Sequence, residues 1–253
     1  MIKLFNLMRK IHLFVLLLMT SLVACGQQKE AEGTDSFVTP SGKKVVFTCI
    51  KHASIRINYD GKEIQIDPVT NLAPMTDYTK MPKADYIFVT HEHGDHFDKQ
   101  AIAALTKAET KLITNARCAE MLGYGTVMAN GDNLSLADDI RVEAVPAYNN
   151  TPGREKFHPK GRDNGFVITL DGFRIYVAGD TEDVPEMADI KDIDVAFLPC
   201  NQPYTMLPEQ LVRAARMVNP KVLFPYHYSQ TDMNTVVEMM KQSPIDVRIR
   251  NYQ

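Results

Sequence analysis

The sequence predicts an α/β fold, and three observations carry that expectation. Short apolar runs rich in β-branched and aromatic residues recur at 45–50, 86–89, 173–177, 194–199 and 221–225, the composition of buried strands. Segments with apolar residues at helical spacing follow several of them, at 98–107, 207–217 and 232–240. Finally, the strand-like runs empty into chemistry-bearing residues: 86–89 into His91-Glu92-His93-Gly94-Asp95-His96, 173–177 into Gly179-Asp180, and 221–225 into His227. Open α/β sheets gather their ligands beyond the C-terminal ends of strands.

With 253 residues, 45% of them hydrophobic, the chain can build one sizeable core, so one domain is expected. A net charge of -3 and the lack of a long Lys/Arg block speak against a nucleic-acid partner. The N-terminus has a different character. Lys3, Arg9 and Lys10 precede an apolar stretch at 11–23 that is short for a membrane span. It ends in Leu22-Val23-Ala24-Cys25-Gly26, which resembles a bacterial lipobox; an ordinary signal peptide or anchor helix is the alternative. The expected layout is a lipoprotein signal peptide over 1–24, a flexible polar tether over 25–42 and a catalytic domain over 43–253. Acylated Cys25 would make membrane lipid a partner and place the protein in the cell envelope, on a periplasmic or outer-membrane face. The other cysteines, Cys49, Cys118 and Cys200, are too scattered for a disulfide framework. Cys49 reads as a core filler, and Cys200 either lines a pocket or packs in the core.

Along the domain, 45–50, 54–59 and 63–66 read as strands, the last two joined at Asp60-Gly61, and Asp67-Pro68 ends them. His52 lies between the first two, either bonded to the metal-site loop or simply satisfied between strands. Residues 71–82 lack periodicity and read as a rim loop. Asp98 can cap a helix over 98–107. A strand at 111–114 precedes a helix through Cys118 and Leu122, which Gly123 ends. Strands follow at 133–137, 140–146, 164–170 and 173–177, the last pair around Asp171-Gly172. A short helix at 184–187, the strand 194–199, a helix at 207–217 opened by Pro208, the strand 221–225, a helix at 232–240 and a strand at 247–249 complete the order.

The decisive chemistry is the run of three imidazoles and a carboxylate, His91, His93, Asp95 and His96, within six residues just past a strand end. Such donors suit Zn²⁺, with Mn²⁺ or Fe²⁺ as alternatives. His-x-His-x-Asp-His after a strand resembles the signature of the metallo-β-lactamase superfamily. The resemblance implies a four-layer αββα sandwich and two metal ions. By that likeness His91, His93 and His158 would hold the first ion, Asp95, His96 and His227 the second, and Asp180 of Gly179-Asp180-Thr181 would bridge them. Most members end the strand near residue 149 in histidine; here Asn149 stands there. Val145-Pro146-Ala147-Tyr148-Asn149 followed by His158-Pro159-Lys160-Gly161 resembles a lactonase-like, Zn-dependent hydrolase branch. His158 then completes the first site, or donates a proton, or contacts substrate. Asn149 could orient substrate or water, and Tyr148 could bind a substrate oxygen. Asp67 could orient an imidazole or serve as a turn residue. Lys51 departs from look-alike sequences, which carry glycine there.

The resemblance implies a hydrolase in which the cations activate water and Asp95 both binds metal and holds the nucleophile. The substrate is expected to be a small ester, lactone or amide. Two alternatives stay open: a phosphodiesterase of the same fold, and a catalytically weakened metal-dependent binding or sensing lipoprotein. Oligomeric state is not legible.

Overall fold

Alternation along the strands sets the architecture. In Ser54–Tyr59 the inward residues Ile55, Ile57 and Tyr59 are buried while Arg56 and Asn58 reach the other face, and the same logic divides nearly every strand into two sides. The computed structural model describes residues 33–251. Its first sheet holds β1 (Thr34–Val38), β2 (Lys44–Lys51), β3 (Ser54–Tyr59), β4 (Lys62–Ile66), β5 (Tyr86–Val89), β6 (Lys111–Thr114) and β7 (Thr126–Val127), side by side in chain order. The second holds β8 (Asn133–Ala137), β9 (Ile140–Ala147), β10 (Asp163–Leu170), β11 (Phe173–Val177), β12 (Val195–Pro199), β13 (Val222–Tyr226) and β14 (Asp246–Val247). Both sheets follow one plan, an antiparallel meander of four strands continued by parallel strands.

Parallel strands need crossovers, and four helices supply most of them. They are α1 (Lys99–Leu105), α2 (Ala116–Leu122), α3 (Pro208–Val218) and α4 (Met233–Met240). Asp98 caps α1 by accepting from the N–H groups of Gln100 and Ala101. Asn115 caps α2, which ends at Gly123 with φ 82°. Three apolar clusters then define the layers. Phe47, Ile55 and Phe88 meet Phe166, Phe197 and Phe224 between the sheets. Ile102 and Leu105 cover Ile87 and Val89 on one outer face, and Leu211 and Ala215 cover Ala196 and Leu198 on the other. This is the four-layer αββα sandwich.

Two features differ from expectation. The stretch assigned to a tether over 25–42 contains β1, which pairs with β2 from Thr34↔Thr48 to Val38↔Lys44. Its polar composition misleads because buried Asp35 is neutralised by Arg248 at 2.9 Å and Arg250 at 2.6 Å, from the far end of the chain. The expected signal peptide, Cys25 and the start of the expected tether lie outside the described residues. Two-residue β7, exposed at both positions, left no apolar signal. Cys200 is fully buried in the cluster against α3 and α4, so it packs in the core. Among the described residues no helix is long and apolar enough to cross a membrane.

The sheet edge that carries the site is held by two close backbone approaches. A Cβ on Gly165 would lie 2.8 Å from the Ala178 carbonyl oxygen, and one on Gly179, at φ 66°, would lie 2.9 Å from that of Asn164. Both contacts fall beside Asp180, so neither strand can shift independently of it. Gly165→Ala is expected to destabilise the fold by ~1–3 kcal/mol, the usual cost of overpacking. A urea midpoint equal to that of the wild type would contradict this close approach.

Candidate metal centre

Six imidazoles and two carboxylates converge at this edge in two groups. The first consists of His91, His93, His158 and Asp180; the second of His52, Asp95, His96 and His227. Within each, one ligating atom per residue lies within 4.8 Å of all the others. In the first, His91 Nε2 is 3.1 Å and His158 Nε2 3.2 Å from His93 Nδ1, and His158 Nε2 is 3.3 Å from Asp180 Oδ2. In the second, His227 Nε2 is 3.3 Å from Asp95 Oδ2. Asp180 joins the groups, its Oδ1 lying 3.2 Å from His96 Nε2 and its Oδ2 3.3 Å from His227 Nε2. Donors bound to one cation at about 2.0–2.1 Å stand roughly 3 Å apart, so these spacings suit shared ligation.

Hydrogen bonds behind the rings fix which nitrogen faces inward. Fully buried Asp67, on the turn after β4, accepts the Thr90 N–H at 2.8 Å, the Thr90 hydroxyl at 2.7 Å and His96 Nδ1–H at 2.8 Å. The Thr90 proton being so engaged, its oxygen can only accept from His91 Nδ1–H, 3.0 Å away. Asn149 donates its amide to the Tyr204 carbonyl at 2.8 Å, which turns Oδ1 toward His158 Nδ1–H at 2.6 Å. Each of these three rings therefore turns its Nε2 to the interior, the orientation in which imidazoles bind metals.

The residues present fit divalent cations on two further counts. His96 Nε2, Asp180 Oδ1 and His227 Nε2 are buried without a hydrogen-bond partner, a costly state that a cation relieves. Burial also keeps His91 well below the ordinary imidazole range, with the neighbouring rings adding to the effect, and lowers His93. Both are thus neutral, as ligation requires. His227 behaves differently: burial opposes its charge, but the Asp180 carboxylate overcomes this and raises the pKa to about 9. His96 is likewise raised, by Asp180 and Asp95 against burial.

Residues 46–227 match the family described as a β-lactamase superfamily domain. The chain belongs to this superfamily. It is 36% identical over 193 residues to a UPF0173 metal-dependent hydrolase of Enterococcus faecalis, covering 72% of this chain and 83% of that protein. Among solved structures it resembles a protein named as a metal-dependent hydrolase from Parabacteroides distasonis, at 53% identity and TM-score 0.85 over 88% of this chain and all of the other. It also resembles the metallo hydrolase Igni18 of Ignicoccus hospitalis, at 28% identity and TM-score 0.70 over 82% and 95% of the two chains. The chain is accordingly a metal-dependent hydrolase of the metallo-β-lactamase fold, with His/Asp clusters able to bind metal.

In this β-lactamase superfamily member the structure brings His91, His93, Asp95, His96, His158, Asp180 and His227 together. It does not bring Tyr148 with them. The Tyr148 hydroxyl donates to Glu186 at 2.8 Å and accepts from Lys160 at 3.3 Å, and the residue does not line the cavity over the clusters. Asn149 orients the ring of His158. His52, left open from sequence, joins the second cluster.

Two outcomes are expected. Asn149→Leu removes the acceptor behind His158 and should weaken metal affinity roughly 10–100-fold, read by competition with a chromogenic chelator; undiminished affinity would remove Asn149 from this role. In metal-free protein the His227 proton stabilises the fold fully below its ordinary value of 6.5, and that contribution is lost as pH rises through about 9. The gap in Tm between metal-loaded and chelated protein should therefore widen from pH 6.5 to 9, and a constant gap would count against the coupling.

Proposed function

We propose that the domain hydrolyses a small, uncharged ester, lactone or amide using two divalent cations, Zn²⁺ foremost and Mn²⁺ or Fe²⁺ as alternatives. His91, His93 and His158 would hold one, Asp95, His96 and His227 the other, and Asp180 both. The observation that carries the reading is the surface above them. The clusters open onto a cavity of about 540 Å³ that no Lys or Arg lines among the described residues. A charged phosphodiester or carboxylate substrate would have only the cations to meet it, whereas a neutral carbonyl substrate needs no more.

Bound divalent cations would polarise the scissile carbonyl and lower the pKa of water. The remaining tasks fall to this chain's own side chains. Asp95 Oδ2 faces His227 and His52, and Asp95 lines the cavity, where its carboxylate would orient the attacking water. Phe157 and Tyr204, edge to face at 5.1 Å, form an apolar wall suited to a ring or acyl chain. On the cavity's polar side Asn201 donates to Ser229 at 3.1 Å. Acylation at Cys25, supported by the lipobox-like sequence, would tether the enzyme to a membrane of the cell envelope.

Metal-replete protein is expected to turn over neutral aryl esters and lactones at least about tenfold better in kcat/KM than bis(p-nitrophenyl) phosphate, a barrier difference of ~1.4 kcal/mol. The reverse preference would favour the phosphodiesterase alternative, and no turnover of either the binding or sensing one. Cys25→Ser should move the protein from the membrane to the soluble fraction of the cells that make it; unchanged fractionation would reject the anchor.

A further inference from the structure

His52 takes no part in the ligand sets above, yet four observations tie it to the second one. Its Nε2 lies 3.1 Å from Asp95 Oδ2, the oxygen that also faces His227. Its ring centroid is 3.9 Å from that of His227 and 6.0 Å from that of His96. The ligating atoms of His52, Asp95, His96 and His227 lie within 4.8 Å of one another, as those of the first group do. Finally, His52 lines the cavity.

The backbone holds the ring there at a cost. His52 sits in the turn between β2 and β3 at φ 48°, left-handed geometry that costs a non-glycine residue about 1–2 kcal/mol. The turn is pinned on both sides. The His52 carbonyl accepts the His227 N–H at 3.0 Å. The preceding Lys51 is fully buried and donates to the carbonyls of Thr70, Leu72 and Pro74 at 2.9, 2.7 and 3.0 Å. A turn needing only a polar cap would not require an imidazole in this conformation against a second imidazole.

We propose that His52 is a ligand of the second cation, giving each site three imidazoles: His91, His93 and His158 in one, His52, His96 and His227 in the other. The inference rests on the two-cation reading above. Its chemical consequence is selectivity. Two imidazoles with Asp95 and Asp180 make a set rich in hard oxygen donors, whereas a third imidazole shifts the preference toward Zn²⁺ over Mn²⁺. The 3.1 Å separation also fits simple donation from His52 to Asp95, so the test must separate the two roles.

Metal titration by calorimetry, with Co²⁺ absorption spectra as a second readout, separates them on wild type, His52→Ala and His52→Gln. Gln keeps an N–H donor for Asp95 but has no imidazole nitrogen. Both variants are expected to lose second-equivalent Zn²⁺ affinity by about 100-fold, at or beyond what outer hydrogen-bond partners contribute, and to change the spectrum of the second Co²⁺. First-equivalent affinity should hold, which also shows that the variants fold. Second-site affinity retained by Gln and lost by Ala would make His52 a hydrogen-bond donor to Asp95 and overturn the proposal, as would wild-type binding by both. A single equivalent in the wild type would sink the two-cation reading itself and this inference with it.

Discussion

Asp180 is the constraint around which the site is built. A carboxylate only 2% exposed faces imidazoles from both metal groups and has an oxygen with no hydrogen-bond partner. Burying that much polarity is tolerable only where cations gather it, so the surrounding architecture is best understood as a device for holding these groups at ligand distance. The glycines at 165 and 179 let β10 and the strand end carrying Asp180 approach closely. Asp67 and Thr90 lock the rings of His91 and His96 from behind. Asn149 does the same for His158.

Much of this was legible in the sequence, for a local reason. Ser54–Tyr59, Tyr86–Val89 and Phe173–Val177 form at the bounds their β-branched runs predict. His91, Asp180 and His227 could be found because each closely follows an apolar strand. What escaped depends on partners distant in the chain. Asp35 looks like a tether residue until Arg248 and Arg250 are placed beside it. His52 was legible only as one alternative, bonded to the metal-site loop, and its hydrogen-bond distance to Asp95 bears that out; only the fold brings this two-residue turn to residues 95 and 227. Tyr148 neighbours Asn149 in sequence, but its hydroxyl is engaged by Glu186 and Lys160 and it does not line the cavity.

Lys51 illustrates how one departure from a familiar pattern is accommodated. Where the resemblance led one to expect glycine, a fully buried ammonium group serves as a three-armed donor to the loop through Thr70, Leu72 and Pro74. Desolvation lowers its pKa, and the three carbonyls offset that cost by replacing water. The same loop is tied to α1, because Asp98 caps the helix and also accepts from the Thr70 N–H at 2.8 Å. Loop, turn and helix are thereby coupled at the margin of the site.

Each metal group draws on both sheets. His91 and His93 follow β5 while His158 and Asp180 flank the strands of the other sheet; His52, Asp95 and His96 meet His227 across the same divide. The cations would thus rivet two halves that share one strand plan, and the rivet closes late. A nascent chain still on the ribosome has neither group complete until residue 180 has emerged and folded back, and lacks the last imidazole of the second until β13 is made. Filling of the second group would therefore report that the chain has been made through β13, and a product truncated before it would leave that ion to its finished neighbours.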